Sequence, residues 1–356
     1  MNRSLVVTIA GALVVAVALG GCSGSNPVGE ILDTTVGEAF RTPGECDDLV
    51  SAEALESSGI APMTPVVVPH PAWEGARIEP LQYALTQAGG LDCEWHAGAT
   101  EFDVNAMTTL TESTLTVRIL PNARNEFDAL LATYGPTAMD ASCPTIVGGG
   151  AHCAAGVLVN DSVWVAISFE GIPSGASRDK GLAVFGPLVN DIVTRASEIY
   201  LPEPDDTEPL LGTLCSDILD LAVVAEARNI DLDTLDGADY ATGVGIDGAT
   251  TQRVGAGRCG YSEIMPDDEW GVFDLEWLSG GAWAMKPAPD AQQIVVAGLS
   301  EGDSVWLLRL DDTYLVEMAV DGHWLVLGVG SEYEYGAEKS SAVVAIIENI
   351  VANVRS

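Results

Sequence analysis

The sequence has little positive charge. Only 3 Lys and 12 Arg stand against 52 Asp and Glu, a net of −37 over 356 residues. A nucleic-acid partner is thereby excluded, because a phosphate backbone is bound by neutralising it with many Lys and Arg. Histidine is scarce too. His70, His96, His152 and His323 are the four present, and no two stand at a metal-sharing spacing. The Gly-x-Ser-x-Gly elbow, the His-Glu-x-x-His helix, the Walker loop and the dinucleotide Gly pattern are all missing. Gly148-Gly149-Gly150 is followed by neither Lys-Ser nor a helical pattern and reads as a turn. No catalytic residue, cofactor or metal set is therefore expected. Charged residues make up 19% and hydrophobic ones 47%, so the chain is not a disordered acidic tail.

The longest apolar run, Leu5 to Leu19, is too short to span a bilayer comfortably. It follows Met1-Asn2-Arg3 and ends in Leu19-Gly20-Gly21-Cys22, which resembles the lipobox of bacterial lipoproteins. This resemblance implies a diacylglycerol on the thiol of Cys22, cleavage before that residue, palmitate among the acyl chains, and anchoring at the extracytoplasmic face of the cell membrane. Ser23-Gly24-Ser25-Asn26-Pro27 would be a polar tether. Loss of the leader takes Arg3 with it and leaves 14 basic against 52 acidic residues, a net of −38. An anionic membrane surface would repel such a body, so the lipid must do the anchoring.

Beyond Cys22 there are six cysteines: Cys46, Cys93, Cys143, Cys153, Cys215 and Cys259. An even number in an exported chain reads as a disulfide framework. An internal repeat narrows the pairing. Cys46-Asp47-Asp48-Leu49-Val50 matches Cys215-Ser216-Asp217-Ile218-Leu219, and Gly90-Leu91-Asp92-Cys93-Glu94-Trp95 matches Gly257-Arg258-Cys259-Gly260-Tyr261. Asn160-Asp161 leading into Trp164 matches Asp321-Gly322 leading into Trp324, and each half closes on a helical pattern, 182–199 and 337–354. The repeat predicts Cys46–Cys93 and Cys215–Cys259, one bridge per module, and leaves Cys143–Cys153 for the first module alone. On the loop-entropy account the long bridges contribute about 4 kcal/mol each and the short one about 3.

These features together resemble small actinobacterial cell-envelope lipoproteins, whose Cys-paired domains have no known function. A more distant similarity is to extracytoplasmic sensor domains of some actinobacterial kinases. The resemblance transfers no catalytic residue. The second half departs from it at Cys259-Gly260-Tyr261, where the first has Cys93-Glu94-Trp95.

The organisation expected is a signal peptide over 1–21, a lipidated tether over 22–35, a module over 36–201, a Pro- and acid-rich linker over 202–209, and a second module over 210–356. Each module reads as α+β, an antiparallel sheet with helices at both ends. Helices are predicted over 47–57, 122–134, 216–228 and 288–299. Strands are predicted over 93–96, 113–120, 157–159, 163–169, 270–278, 305–310, 314–320 and 324–329.

Two clusters bear on function. Asp231, Asp233, Asp236 and Asp239 have oxygens that a calcium ion would want, but Gly237 falls seventh where an EF-hand loop needs its Gly sixth, and the twelfth position, Thr242, is not the Glu required, so a solvated loop is expected. Phe273, Leu275 and Trp277 share one strand face and are expected in the core, whereas Trp283 is the ring expected to be exposed. The overall expectation is a non-catalytic lipoprotein that binds an envelope protein or a small-molecule ligand. The alternative is a divergent cell-wall glycan hydrolase using a carboxylate pair.

Overall fold

The structure is a computed structural model. It describes residues 42–57, 63–67, 79–97, 113–144, 151–172, 178–201, 211, 214–240, 245–265, 268–288, 290–310, 313–329 and 337–356. Cys22, the tether, the linker over 202–209 and His70 lie outside the described residues.

The first module runs β1 (Thr42–Pro43), α1 (Cys46–Leu49), α2 (Ala52–Ser57), β2 (Met63–Val67), a 3₁₀ turn (Pro80–Tyr83), α3 (Ala84–Gln87), β3 (Leu91–Ala97), β4 (Ser113–Leu120), α4 (Arg124–Tyr134), β5 (Ala151–Val159), β6 (Val163–Ile172), α5 (Arg178–Ala196) and β7 (Ile199–Tyr200). The second runs α6 (Cys215–Ile218), α7 (Leu221–Arg228), a 3₁₀ turn (Leu232–Thr234), β8 (Leu235–Tyr240), α8 (Ile246–Arg253), β9 (Ala256–Met265), β10 (Asp268–Leu278), a 3₁₀ turn (Gly281–Ala284), β11 (Gln292–Ile294), β12 (Ser304–Leu310), β13 (Thr313–Val320), β14 (His323–Val329) and α9 (Ala337–Val354).

The two sheets have the same plan. The first is ordered β2-β3-β4-β6-β5; the second is β8-β9-β10-β14-β13, extended by β12 and β11. Within both sheets all pairings are antiparallel. Among the described residues only the short β1–β7 pair is parallel. The register makes the repeat exact at the level of pairs: Cys93 faces Val117 and Cys259 faces Leu275, while Val117 faces Ile167 and Leu275 faces Leu327.

Cys46–Cys93 and Cys215–Cys259 each tie the opening helix of a module to its second strand, with Cα–Cα distances of 5.5 and 5.9 Å. Cys143–Cys153 forms as well. On one face of each sheet, alternate strand residues meet the helices. Leu115, Val117, Ile119, Val165 and Ile167 lie under Phe185, Leu188 and Ile192 of α5. Leu275, Trp277, Leu325 and Leu327 lie under Ile346, Ile347, Ile350 and Val351 of α9. The helical residues recur at three- and four-residue steps, so one stripe of each helix is buried.

Each opening helix, expected to be continuous, is broken once. Val50 and Leu219 are extended, with φ/ψ of −133/125 and −134/122. Ser51 and Asp220 then cap the second helix: Ala54 N–H donates to Ser51 Oγ at 3.0 Å and Ala222 N–H to Asp220 Oδ1 at 2.9 Å. A side chain that caps offers the backbone an alternative to continuing the helix. The helix expected over 288–299 is not formed. Pro289 disfavours the helical region at Ala288, the first residue of that span, and Gln292–Ile294 pairs with β12 as an edge strand, leaving Val295 94% exposed.

The two sheets are not separate bodies; Arg41–Ser356 forms one compact unit. Their second faces share a core, with Leu85, Leu120, Phe127 and Trp164 from the first module beside Ile246, Val254, Ala256 and Leu278 from the second. Leu120 and Leu278 occupy equivalent register positions and are fully buried. Each such side chain contributes about 2 kcal/mol by burial.

Candidate binding pocket at the seam between the modules

The seam is a reciprocal clasp. In each module the helix between the first two strands reaches over to the other sheet. Arg253 at the end of α8 donates to the carbonyls of Pro121 (2.5 Å) and Asn122 (3.2 Å), just past β4, and pairs with Glu126 at 2.5 Å. Gln87, at the end of α3, donates to the carbonyl of Ser279, just past β10. Gln87 stands as far before Cys93 as Arg253 before Cys259. Leu120 and Leu278 immediately precede the two carbonyls that accept.

Charged pairs sit beneath both arms with their signs exchanged. Asp92 precedes Cys93, and Arg118 faces it across the ladder with Nε 3.3 Å from the carboxylate. At the same places in the second module, Arg258 faces Glu276, Nε to Oε1 at 3.3 Å. Arg118 reaches further, with Nη1 2.9 Å from Asp247 on α8. Burial works against the Arg118 charge, but Asp92 and Asp247 outweigh it and raise the guanidinium above its ordinary value. For Asp92 the balance goes the other way: burial raises its carboxyl despite the attraction of Arg118.

A pocket of ≈ 230 Å³ opens on the second face of the first sheet. Its floor is small: Ala154 and Gly156 of β5, Ala166 and Ser168 of β6, and Thr116 of β4, with Trp164 at its base. Arg118 stands on one wall and Gly245, Ile246 and Asp247 at the start of α8 on another. The remaining wall is the loop after α4, carrying Met139, Asp140 and Ser142. That loop is laced to β5. Ser142 and Ala154 exchange two backbone hydrogen bonds of 2.9 Å, and Gly156 N–H donates to the Met139 carbonyl at 2.9 Å. A Cβ at Gly156 would lie 2.4 Å from Met139 Sδ, so a larger residue there would have to push the Met139 side chain aside. Cys143–Cys153, the bridge without a counterpart in the second module, fastens the same wall.

Among the residues singled out from sequence, the structure brings few together. Phe273, Leu275 and Trp277 are in the core, and Trp283 is 58% exposed as expected. Trp283 Nε1–H donates to Gln87 Oε1 at 3.3 Å, and the ring meets Tyr83 edge-on. Asp231 caps the 3₁₀ turn, accepting from Asp233 N–H at 3.2 Å, and Asp236 and Asp239 lie on edge strand β8 rather than in a wrapping loop. No group of three metal-ligating side chains occurs among the described residues. His96 pairs with Glu94 at 2.7 Å, and His152 with Glu170 at 3.2 Å. His323 is buried, and its Nδ1 accepts from Gly280 N–H at 3.0 Å. Burial holds its imidazole below the ordinary value.

Sequence reasoning missed the pocket residues and one pair of acids. Glu276 and Glu317 point to the same side of the second sheet, each opposite Val326, and are 0% and 6% exposed. The signal that could have found the charged set was the repeat itself, which places Asp92 and Arg258 at one shared position beside the bridging cysteines. No known protein family, curated protein or solved structure matches the chain.

Proposed function

We propose that this chain is an extracytoplasmic lipoprotein, held at the cell membrane by lipid on Cys22, that binds a ligand or an envelope protein at the seam pocket without transforming it. The observation that carries the binding reading is the pocket itself, built from both modules at the place where they clasp. Export is supported by the lipobox-like Leu19-Gly20-Gly21-Cys22. It is supported also by pairing of all six remaining cysteines, which suits an oxidising compartment. No helix among the described residues is long and apolar enough to cross a membrane.

The hydrolase alternative would need two carboxylates that reach substrate. Glu276 and Glu317 are buried, and of the two acids that line the pocket, Asp140 and Asp247, the second is held by Arg118 at 2.9 Å, which argues against it. Two experiments test the proposal. Cys22→Ser should move the protein from the membrane fraction to the soluble extracytoplasmic fraction and abolish palmitate labelling; retention in the membrane would refute lipid anchoring. Pull-down of the intact protein from cells should capture a ligand or partner that is lost when the pocket is filled by Ala166→Val.

A further inference from the structure

The second module is an internal control for the pocket. Register places Leu315 where Ala154 stands, Glu317 where Gly156 stands and Val326 where Ala166 stands. Trp324 is the counterpart of Trp164. Over Trp324 the space is filled: Leu315 and Val326 pack against it, and Tyr83 lies edge-on with ring centroids 5.5 Å apart. Over Trp164 Ala154 and Ala166 leave the volume open, while the space at Gly156 is taken by Met139, although the fold is the same. The cavity therefore does not follow from the architecture. It follows from side chains at two positions that the sister module fills.

The chemistry of the lining is mixed. Thr116, Ser142 and Ser168 offer hydroxyls that both donate and accept. The N-cap of α8 is Gly245, with no side-chain cap, so first-turn N–H groups are left for another acceptor. The indole N–H of Trp164 is buried and has no acceptor among the described residues. Trp324 shares that trait, so it is the open space beside Trp164 that distinguishes the site. Asp140 and Asp247 accept. The charge balance is one guanidinium, Arg118, against Asp92, Asp140 and Asp247. An anionic ligand meets a net negative wall on a chain of net −37, whereas a cation finds two of the three acids, Asp92 and Asp247, already held by Arg118 at 3.3 and 2.9 Å. A neutral ligand with many hydroxyls satisfies donors and acceptors together and adds no charge. The volume of ≈ 230 Å³ matches about eight waters at ~30 Å³ each, enough for one sugar-sized ring and too little for a chain of them.

The geometry points to a neutral sugar residue as the ligand of the seam pocket, free or as the end of a glycan. This assignment rests on the binding function proposed above and names its ligand class. The test is titration of the full-length chain in detergent with glucose, galactose and N-acetylglucosamine, read by calorimetry and saturation-transfer NMR. Glucuronate and glucosamine serve as charged probes of the same size. At least one neutral sugar should bind, with both charged probes at least tenfold weaker. The double variant A154L/A166V carries the residues of the second module and should lose binding at least tenfold with its melting temperature unchanged; A166V alone serves if the double variant does not fold. Tighter binding of either charged probe, no binding of any neutral sugar, or neutral-sugar binding indifferent to A166V would each overturn the assignment. If the sugars fail while cellular pull-down still depends on Ala166, the ligand class falls and the binding function stands.

Discussion

Removal of the Arg253 side chain tests the clasp on which the pocket depends. The guanidinium makes four contacts into the first module: Nε and Nη2 to Glu126 at 3.2 and 2.5 Å, and single bonds to the carbonyls of Pro121 and Asn122. Its side chain is 20% exposed and that of Glu126 28%, so the pair lies between a surface bridge and a buried one. A charged hydrogen bond is worth about 1.5–3 kcal/mol, and bonds from one group do not add. A fully buried pair broken on one side would cost about 3–5 kcal/mol, and partial solvent access reduces that. Arg253→Ala should therefore cost about 2–3 kcal/mol and lower the melting temperature by about 3–5 °C. The assay is thermal and urea unfolding of the intact protein, with Arg253→Lys as a control. Lys is a point charge without the fork and should recover less than half the loss. A shift under about 1 °C for Arg253→Ala, or full recovery by Lys, would refute the account. Asp247→Asn removes a pair whose acid is 57% exposed, and should cost less than about 1 kcal/mol.

Three further outcomes follow from local geometry. Gly257→Ala places a Cβ 2.2 Å from the Trp277 ring and should destabilise by about 1–3 kcal/mol in urea unfolding; a neutral effect would mean the ring has room to move. His323 is buried with its pKa held down by desolvation, against the pull of Asp321, so the unfolded chain takes the proton first. Its contribution to stability is full above the ordinary value near 6.5 and is lost as pH falls towards the lower folded value. Unfolding free energy of His323→Gln should then vary less between pH 7 and 5 than that of the wild type, and equal slopes would exclude the residue as the cause. Removing Cys143–Cys153 by paired Ser substitution opens a short loop and should cost about 3 kcal/mol. It should also loosen the Met139 wall, raising hydrogen exchange at Gly156, whereas unchanged exchange there would show the wall to be held without the bridge.

Much of the frame could be read from residue order because local chemistry and global fold agree there. Asn160 and Asp161 carry φ of 50 and 59, and Asp321 and Gly322 carry 49 and 81, as tight hairpins between right-twisted strands require. The cysteine pairing followed from the repeat, and the helix at Ala337–Val354 from its apolar steps. The failures at the seam have one physical origin. A strand face that meets another module carries charges and small residues, and alternation alone reads such a face as solvent-exposed. Arg118, Glu276 and Glu317 were hidden for that reason, and so was the pocket. The 288–299 segment failed differently: edge pairing to β12 overrode an apolar spacing that suits a helix.

The reciprocal clasp has a consequence for how the chain can assemble. Each half supplies the cover for the other, so the molecule is in effect a dimer of similar halves joined by one Pro-rich segment. Intramolecular closure is favoured because such a short connection holds the halves at millimolar effective concentration. When protein concentration rises to the same range, the first half of one chain can close on the second half of another. The product would be an exchanged dimer that buries the same seam, keeps both pockets, and dissociates only as fast as the clasp opens.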